Sequence, residues 1–225
     1  MTIETEALNH SSWSPVSQLP VSDAGAAARA VQELCSGFVH LPGDPGYEAG
    51  RVPWNVAIDQ RPAAVAVVRS VDDIVAVVRA TSQQRLRVAP QGTGHGAGAL
   101  AGRDLTDVVL VRTDGLREVS IDPERRIARV AAGAQWQDVV APAAARGLAV
   151  LHGSSPDVGV CGYTLGGGLG WDARKLGLTC NSLTAVELVT ADGTLVRADA
   201  MTHPHLFWAL RGGGGNFGVV TALEF

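Results

Sequence analysis

Gly159-Val160-Cys161-Gly162-Tyr163-Thr164-Leu165-Gly166-Gly167-Gly168-Leu169-Gly170-Trp171 is the stretch on which the reading of this chain turns. Five glycines fall between Gly162 and Gly170, and a second glycine-bearing loop surrounds a lone histidine upstream, Gln91-Gly92-Thr93-Gly94-His95-Gly96. A loop whose bare backbone must lie against a large flat ligand needs glycine, because a Cβ blocks close approach and confines φ to negative values. Two such loops predict a long ligand.

The elements on either side alternate. Ala24 to Ser36 has a helical pattern, and a proline- and glycine-rich link, Leu41-Pro42-Gly43-Asp44-Pro45-Gly46, follows it. Ala63 to Val68 is an apolar, partly β-branched run, after which Ser70 caps a helix over Val71 to Ser82 with Asp72 and Asp73 in its first turn. Arg87 to Pro90 is the next strand and runs into the histidine loop. Val108 to Val111, Glu118 to Ile121 and Ile127 to Val130 are further strands, the last two joined by the polar turn Asp122-Pro123-Glu124. Gln135 to Arg146 reads as a helix kinked or interrupted at Pro142, and Leu148 to Leu151 as a strand leading to the second glycine loop. Ala185 to Thr190 and Thr194 to Arg197 flank Ala191-Asp192-Gly193, a hairpin signal. Pro204 to Leu210 is a helix, Gly212 to Gly215 a third glycine run, and Gly218 to Phe225 a last strand. The sum is an α+β fold with no internal repeat.

Composition sets the class. With 225 residues, 46% hydrophobic and 18% charged, the chain has ample material for a buried core and reads as globular. A net charge of −4 and a pI near 5.8 give no electrostatic reason to bind nucleic acid or an anionic membrane. Cys35, Cys161 and Cys180 are an odd number at unrelated spacings, without a CxxC pair or a zinc-type His/Cys cluster, and read as buried free thiols; no metal site is expected. The polar residues 1–22, punctuated by Pro15 and Pro20, read as a loose arm and lack the basic start and apolar run of a signal peptide. No stretch has the roughly 20 apolar residues of a membrane helix. A cytoplasmic location is the expectation.

Two motifs bear on chemistry. Gly168-x-Gly170-x-x-Ala173, with Glu187 downstream, formally fits the dinucleotide fingerprint of nicotinamide enzymes. Against it, Gly177 and Asn181 interrupt the helix that such a turn must open, and Glu187 falls within a strand rather than at its end. The nicotinamide dehydrogenase remains an alternative. His95 lies between Gly94 and Gly96, which expose its ring and free backbone amides to face an anion such as a pyrophosphate. A neutral imidazole is a competent nucleophile, so His95 is a candidate for covalent attachment of a cofactor.

Pro90 to Ala97, Val158 to Trp171, Arg174-Lys175-x-Gly177-Leu178 and Leu206 to Gly218 occur in this order, and together they resemble the FAD-binding domain of the vanillyl-alcohol oxidase and p-cresol methylhydroxylase (PCMH) superfamily. Within it the resemblance is to the group of berberine bridge enzyme and 6-hydroxynicotine oxidase, and it covers about Pro42 to Phe225. It implies two lobes, residues 40–112 and 113–225, with FAD extended between them; the arm and helix over residues 1–39 precede them.

By position, the resemblance implies that Gln91, Gly92, Thr93, Gly94, His95 and Gly96 cradle the pyrophosphate, with His95 bonded to the flavin 8α-methyl. Many relatives add a thioether from a cysteine just before the proline matching Pro156; this chain has Ser155 there, so a single attachment is expected, and Cys161 is read as a packing residue. Val158, Gly159, Gly162, Gly166, Gly167 and Gly170 are expected at the ribityl chain and ring. Gly168 serves the turn, Tyr163 hydrogen-bonds the flavin or is buried with its hydroxyl satisfied, and Val219 or Val220 packs near the adenine. Arg174 and Lys175 are read as a solvated helix end, and Asn181 stands where relatives more usually carry aspartate.

The activity implied is an FAD-linked oxidase: hydride passes from an alcohol, sugar or amine to the flavin, which O2 reoxidises. The catalytic base of such enzymes belongs to a substrate domain. Because the chain stops at Phe225 inside an expected strand, that domain is taken to be missing. A non-catalytic flavin-binding fragment is the other reading.

Overall fold

The computed structural model of the protein describes residues 23–35 and 37–225; the expected arm over residues 1–22 lies outside the described residues. The fold is α+β with two sheets. The first part comprises α1 (Ala24–Leu34), β1 (Val39–His40), α2 (Pro45–Arg51), β2 (Ala64–Val67), α3 (Val71–Gln83), β3 (Arg87–Gln91) and β4 (Val108–Arg112). Its sheet has the order β1-β2-β4-β3, in which β2 and β3 both run parallel to β4. The parallel strands depend on α3 as crossover, and α3 starts where a capping box forms: Ser70 Oγ accepts from Asp73 N, and Asp73 accepts from Ser70 N. Strand faces alternate as expected. Ala66, Val109 and Val111 pack on α1 and α3, while Val65 and Leu110 face Tyr47 of α2.

The second part comprises β5 (Val119–Asp122), β6 (Ile127–Ala131), α4 (Trp136–Ala144), α5 (Val160–Leu165), α6 (Ala173–Leu176), β7 (Ala185–Val189), β8 (Leu195–Asp199), α7 (Pro204–Gly213) and β9 (Val219–Glu224). Its sheet, in the order β5-β6-β9-β7-β8, is antiparallel throughout. One face buries Val186, Leu188, Val220 and Leu223 with Phe207 and Leu210 of α7, and Ala128 and Val130 with Trp136 of α4. On the other face a carboxylate of β7, Glu187, meets Arg129 of β6 and Arg197 of β8. A bulge between Glu187 and Leu188 interrupts the ladder, and beyond it Val189 and Val219 join the core of α3. The two sheets thus share buried surface.

Several expectations need correction. Leu148 to Leu151 is not a strand, because it has no ladder partner, and α4 is not interrupted at Pro142 but ends at Ala144. The link at Pro42–Gly46 conceals the start of α2, with Pro45 in the first turn where its missing N–H costs nothing. The second glycine stretch is partly helical, since it contains α5. The third run forms the end of α7 and a 3-10 turn over Gly214–Phe217.

Candidate functional site

The histidine loop leaves the C-terminal end of β3, beside the end of β4, where Gln91 pairs in register with Arg112. Gln91 is buried and accepts from Gln60 Nε2 at 3.0 Å, while its own Nε2 has no partner among the described residues. Arg112, also buried, donates to the carbonyls of Gly50 (2.7 Å) and Val52 (3.1 Å), and so ties down the end of α2 and the turn that follows it. That turn carries Trp54. Its backbone N–H donates to Thr93 O at 2.9 Å, and its ring stacks on His95 with centroids 4.2 Å apart and planes 18° from parallel.

His95 sits between two polar groups. Its Nδ1 is 2.8 Å from Thr93 Oγ1, and its Nε2, buried and without a hydrogen-bond partner, is 3.9 Å from Asp157 Oδ2. The Trp54 indole N–H donates to the same Oδ2 at 2.9 Å, and the Ser155 hydroxyl donates to Asp157 Oδ1. The Ser155 hydroxyl, and then the indole, stabilise the charged carboxylate and hold Asp157 below the usual carboxylate range.

One glycine from each of the other two runs reaches this loop or the strand that leads into it. Gly159 lies against Thr93, where an added Cβ would meet Oγ1 at 3.5 Å, and Gly215 lies against Pro90 at 3.2 Å. Gly92 lies between Ala132 O and Thr113 Oγ1, each 3.7 Å from its added Cβ. Gly162 and Gly96 are exposed, with open space where a Cβ would stand. Gly166 is also exposed, Gly167 is buried with φ +113°, and Val158 packs at the edge of the Trp136 core. Gly170 is pressed against His152 O, 2.5 Å from its added Cβ, and Gly168, at φ +75°, against Thr179; both glycines are required by the chain itself. Tyr163 packs edge-on to Trp136 at 5.5 Å with its hydroxyl buried, and among the described residues that hydroxyl has no partner, so the expectation of a satisfied hydroxyl is not met there. Val219 lines a cavity of about 280 Å3 between Val78, Leu86, Pro90 and Gly218, and Val220 is strand core. A larger groove, about 640 Å3, lies beneath the β5–β6 hairpin and includes none of the expected site residues.

The nicotinamide alternative does not survive. A dinucleotide fold of that type needs a parallel sheet, but the sheet beside Gly168 is antiparallel, the helix after it is the four-residue α6, and Glu187 is engaged by Arg129 at 2.6 Å. Arg174 and Lys175 are exposed on α6, and Asn181 accepts at 3.7 Å from the thiol of Cys180. Among the described residues no cluster of three or more His, Cys, Asp or Glu is placed to hold a metal ion, and no helix is long and apolar enough to cross a membrane. Trp54 and Asp157 escaped the sequence reading. They meet across 103 positions, and neither lies in a motif of its own.

A family model described as an FAD binding domain matches residues 62–199. Glucooligosaccharide oxidase of Sarocladium strictum is 33% identical over 187 residues, which are 83% of this chain and 37% of that one. (R)-6-hydroxynicotine oxidase of Paenarthrobacter nicotinovorans is 36% identical over 188 residues, 84% of this chain and 41% of that one. Among solved structures, Physcomitrella patens BBE-like 1 superposes with a TM-score of 0.79 at 29% identity, covering 88% of this chain and 43% of its own. Glucooligosaccharide oxidase from Acremonium strictum, described with a 6-S-cysteinyl, 8α-N1-histidyl FAD, gives 0.77 at 31% identity over 88% and 42%. The chain spans about two fifths of the length of these curated relatives. With the match across residues 62–199 and the two-sheet fold shared with those structures, the chain belongs to the PCMH-type FAD-binding domain family of FAD-linked oxidoreductases.

Proposed function

We propose that the chain is the flavin-holding part of an FAD-linked oxidase, with FAD extended between residues 40–112 and 113–225 and bonded once, through His95. The observation that carries this reading is that one glycine from each of the other two runs reaches the histidine loop or its entry, Gly159 against Thr93 and Gly215 against Pro90. The residues fit the group. Gly96 and Gly162 leave open space where side chains would intrude, and the buried Gln91 Nε2, His95 Nε2 and Tyr163 hydroxyl have no partner among the described residues. The cavity of about 280 Å3 beside Val219 and Pro90 is lined mostly by apolar residues, with Ser82 and Asn216 among them, and could take one end of a long ligand.

In this reading the loop Gln91–Gly96 binds the pyrophosphate through backbone amides, and Gly159, Gly162, Gly166, Gly167 and Gly170, with Val158 and Tyr163, border the ribityl chain and ring. Trp54 holds the His95 ring in one plane, and Arg112 holds the turn that carries Trp54. Ser155 offers no thiolate, which supports attachment through one bond. When bound, FAD supplies two-electron chemistry: hydride acceptance from an alcohol, sugar or amine and reoxidation by O2.

Acid precipitation of the purified protein, with intact mass and a His95→Ala control, tests this. A yellow pellet with the mass increase of one FAD, both lost in the control, is expected. Flavin released to the supernatant would sink the covalent role of His95.

A further inference from the structure

The two ring nitrogens of His95 face different groups. Nδ1 is within hydrogen-bond reach of the Thr93 hydroxyl at 2.8 Å. Nε2 is buried and lies 3.9 Å from Asp157 Oδ2, too far for a direct hydrogen bond but near enough for charge to act. A hydroxyl can donate or accept, whereas a carboxylate held ionised can only accept. Were Nε2 bare, its lone pair would point toward a carboxylate. With the proton on Nε2, the N–H dipole faces that carboxylate, and the Nδ1 lone pair accepts from Thr93.

The carboxylate is itself fixed. Ser155 Oγ–H and Trp54 Nε1–H each donate to a different oxygen of Asp157, and the same indole stacks on the imidazole. One side chain, Trp54, therefore sets both the plane of the ring and the position of the charge that faces it.

We propose that Asp157 is a positioning residue that holds His95 as the Nε2–H tautomer, so that Nδ1 is offered for the bond to flavin and the Asp157 charge stabilises the positive charge that develops on the ring as that bond forms. This rests on His95 being the attachment point. The step balances. The Nδ1 lone pair would make one N–C bond to the 8α carbon, one C–H bond of the flavin 8α-methyl would break, and the two protons released, from that C–H bond and from Nε2, would leave to water. Bound FAD would supply the two-electron acceptor for this step, with O2 and two protons as the final sink, giving hydrogen peroxide. Thr93 Oγ1 stands 2.8 Å from Nδ1, so Thr93 must turn its hydroxyl away for the bond to form.

Two measurements on the full chain test the proposal. In cofactor-free protein labelled with 15N-histidine, long-range 1H–15N spectra assigned with His95→Ala read the tautomer directly. The wild type is expected to show Nε2–H alone, and Asp157→Ala a mixture. At saturating FAD, the rate of acid-stable flavin incorporation is expected to fall at least tenfold in Asp157→Ala and to recover in part in Asp157→Glu, with the digested flavin peptide bonded at Nδ1. Unchanged incorporation in Asp157→Ala, an unaltered tautomer there, or a bond at Nε2 would each overturn the role of Asp157 while leaving His95 as the attachment point. A wild type that forms no bond at all while its His95 still reads as Nε2–H would instead remove the attachment reading, and the bonding step with it.

Discussion

Gly94 lies so close to Pro53 that a Cβ on Gly94 would stand 2.6 Å from the proline Cβ and 2.9 Å from its Cα, with φ at +84°. This contact brings the turn carrying Trp54 down onto the histidine loop, and only glycine permits both the conformation and the approach. Gly94→Ala should therefore lower stability by roughly 2 kcal/mol, the scale of backbone strain at such a position, and release Trp54 from His95. Urea denaturation of the cofactor-free protein checks the first effect. Covalent flavin yield checks the second, and a variant as stable as the wild type would contradict both.

Gly162 gives the opposite expectation. It sits in α5, is exposed, and has no atom within 4 Å of an added Cβ, so this chain does not itself require glycine there. Alanine within a helix is favoured over glycine by about 0.5–1 kcal/mol, so Gly162→Ala should stabilise the cofactor-free protein by up to that amount. If the open space beside Gly162 is where the cofactor runs, the same variant should bind FAD at least tenfold more weakly. Thermal melting and flavin fluorescence titration separate the effects, and unaltered FAD binding would remove Gly162 from the site.

What the sequence disclosed depended on whether a signal was local. The capping box at Ser70 and the hairpin at Ala191-Asp192-Gly193 are made by near neighbours, and both stand where residue patterns put them. Leu148 to Leu151 has a strand's composition, but a strand exists only with a ladder partner, and no signal within a segment reveals whether one is there. The glycines of Gly159–Gly170 hid α5, whose helical form rests on Val160, Thr164 and Leu165 reaching buried positions. The site divides in the same way. Gln91 to Gly96 was legible because glycines bracket a histidine, whereas the groups that hold that histidine, Trp54 and Asp157, come together only through the fold.

Cys161 packs at the margin of the core between α5 and α7. As a residue it keeps some exposure, yet burial pushes its thiol up to about 12. Because the thiolate is the reactive form, iodoacetamide at pH 8 should leave Cys161 unmodified in the folded protein and modify it fully in urea, as peptide mapping would show. Rapid labelling of the native protein would mean that the thiol is accessible and ionisable, and Cys161 would then have to be reconsidered as a reactive group.

Glu187 bridges the polar face of the second sheet, accepting from Arg129 Nε at 3.0 Å and Nη2 at 2.6 Å, with Arg197 3.7 Å away. The two hydrogen bonds from Arg129 are the main reason its carboxyl is held below the usual glutamate range, and the positive charges of Arg129 and Arg197 add to this. A carboxyl whose pKa is lower in the folded state stabilises the protein fully above its unfolded value, about 4.3, and loses that contribution as the pH falls through its folded value. A paired arginine and carboxylate at a half-buried position contributes about 1 kcal/mol. Glu187→Gln should therefore cost about that much at pH 7 and progressively less below pH 4, until variant and wild type unfold at the same urea concentration. A deficit that persisted undiminished at pH 3 would show that Glu187 contributes through its packing rather than its charge.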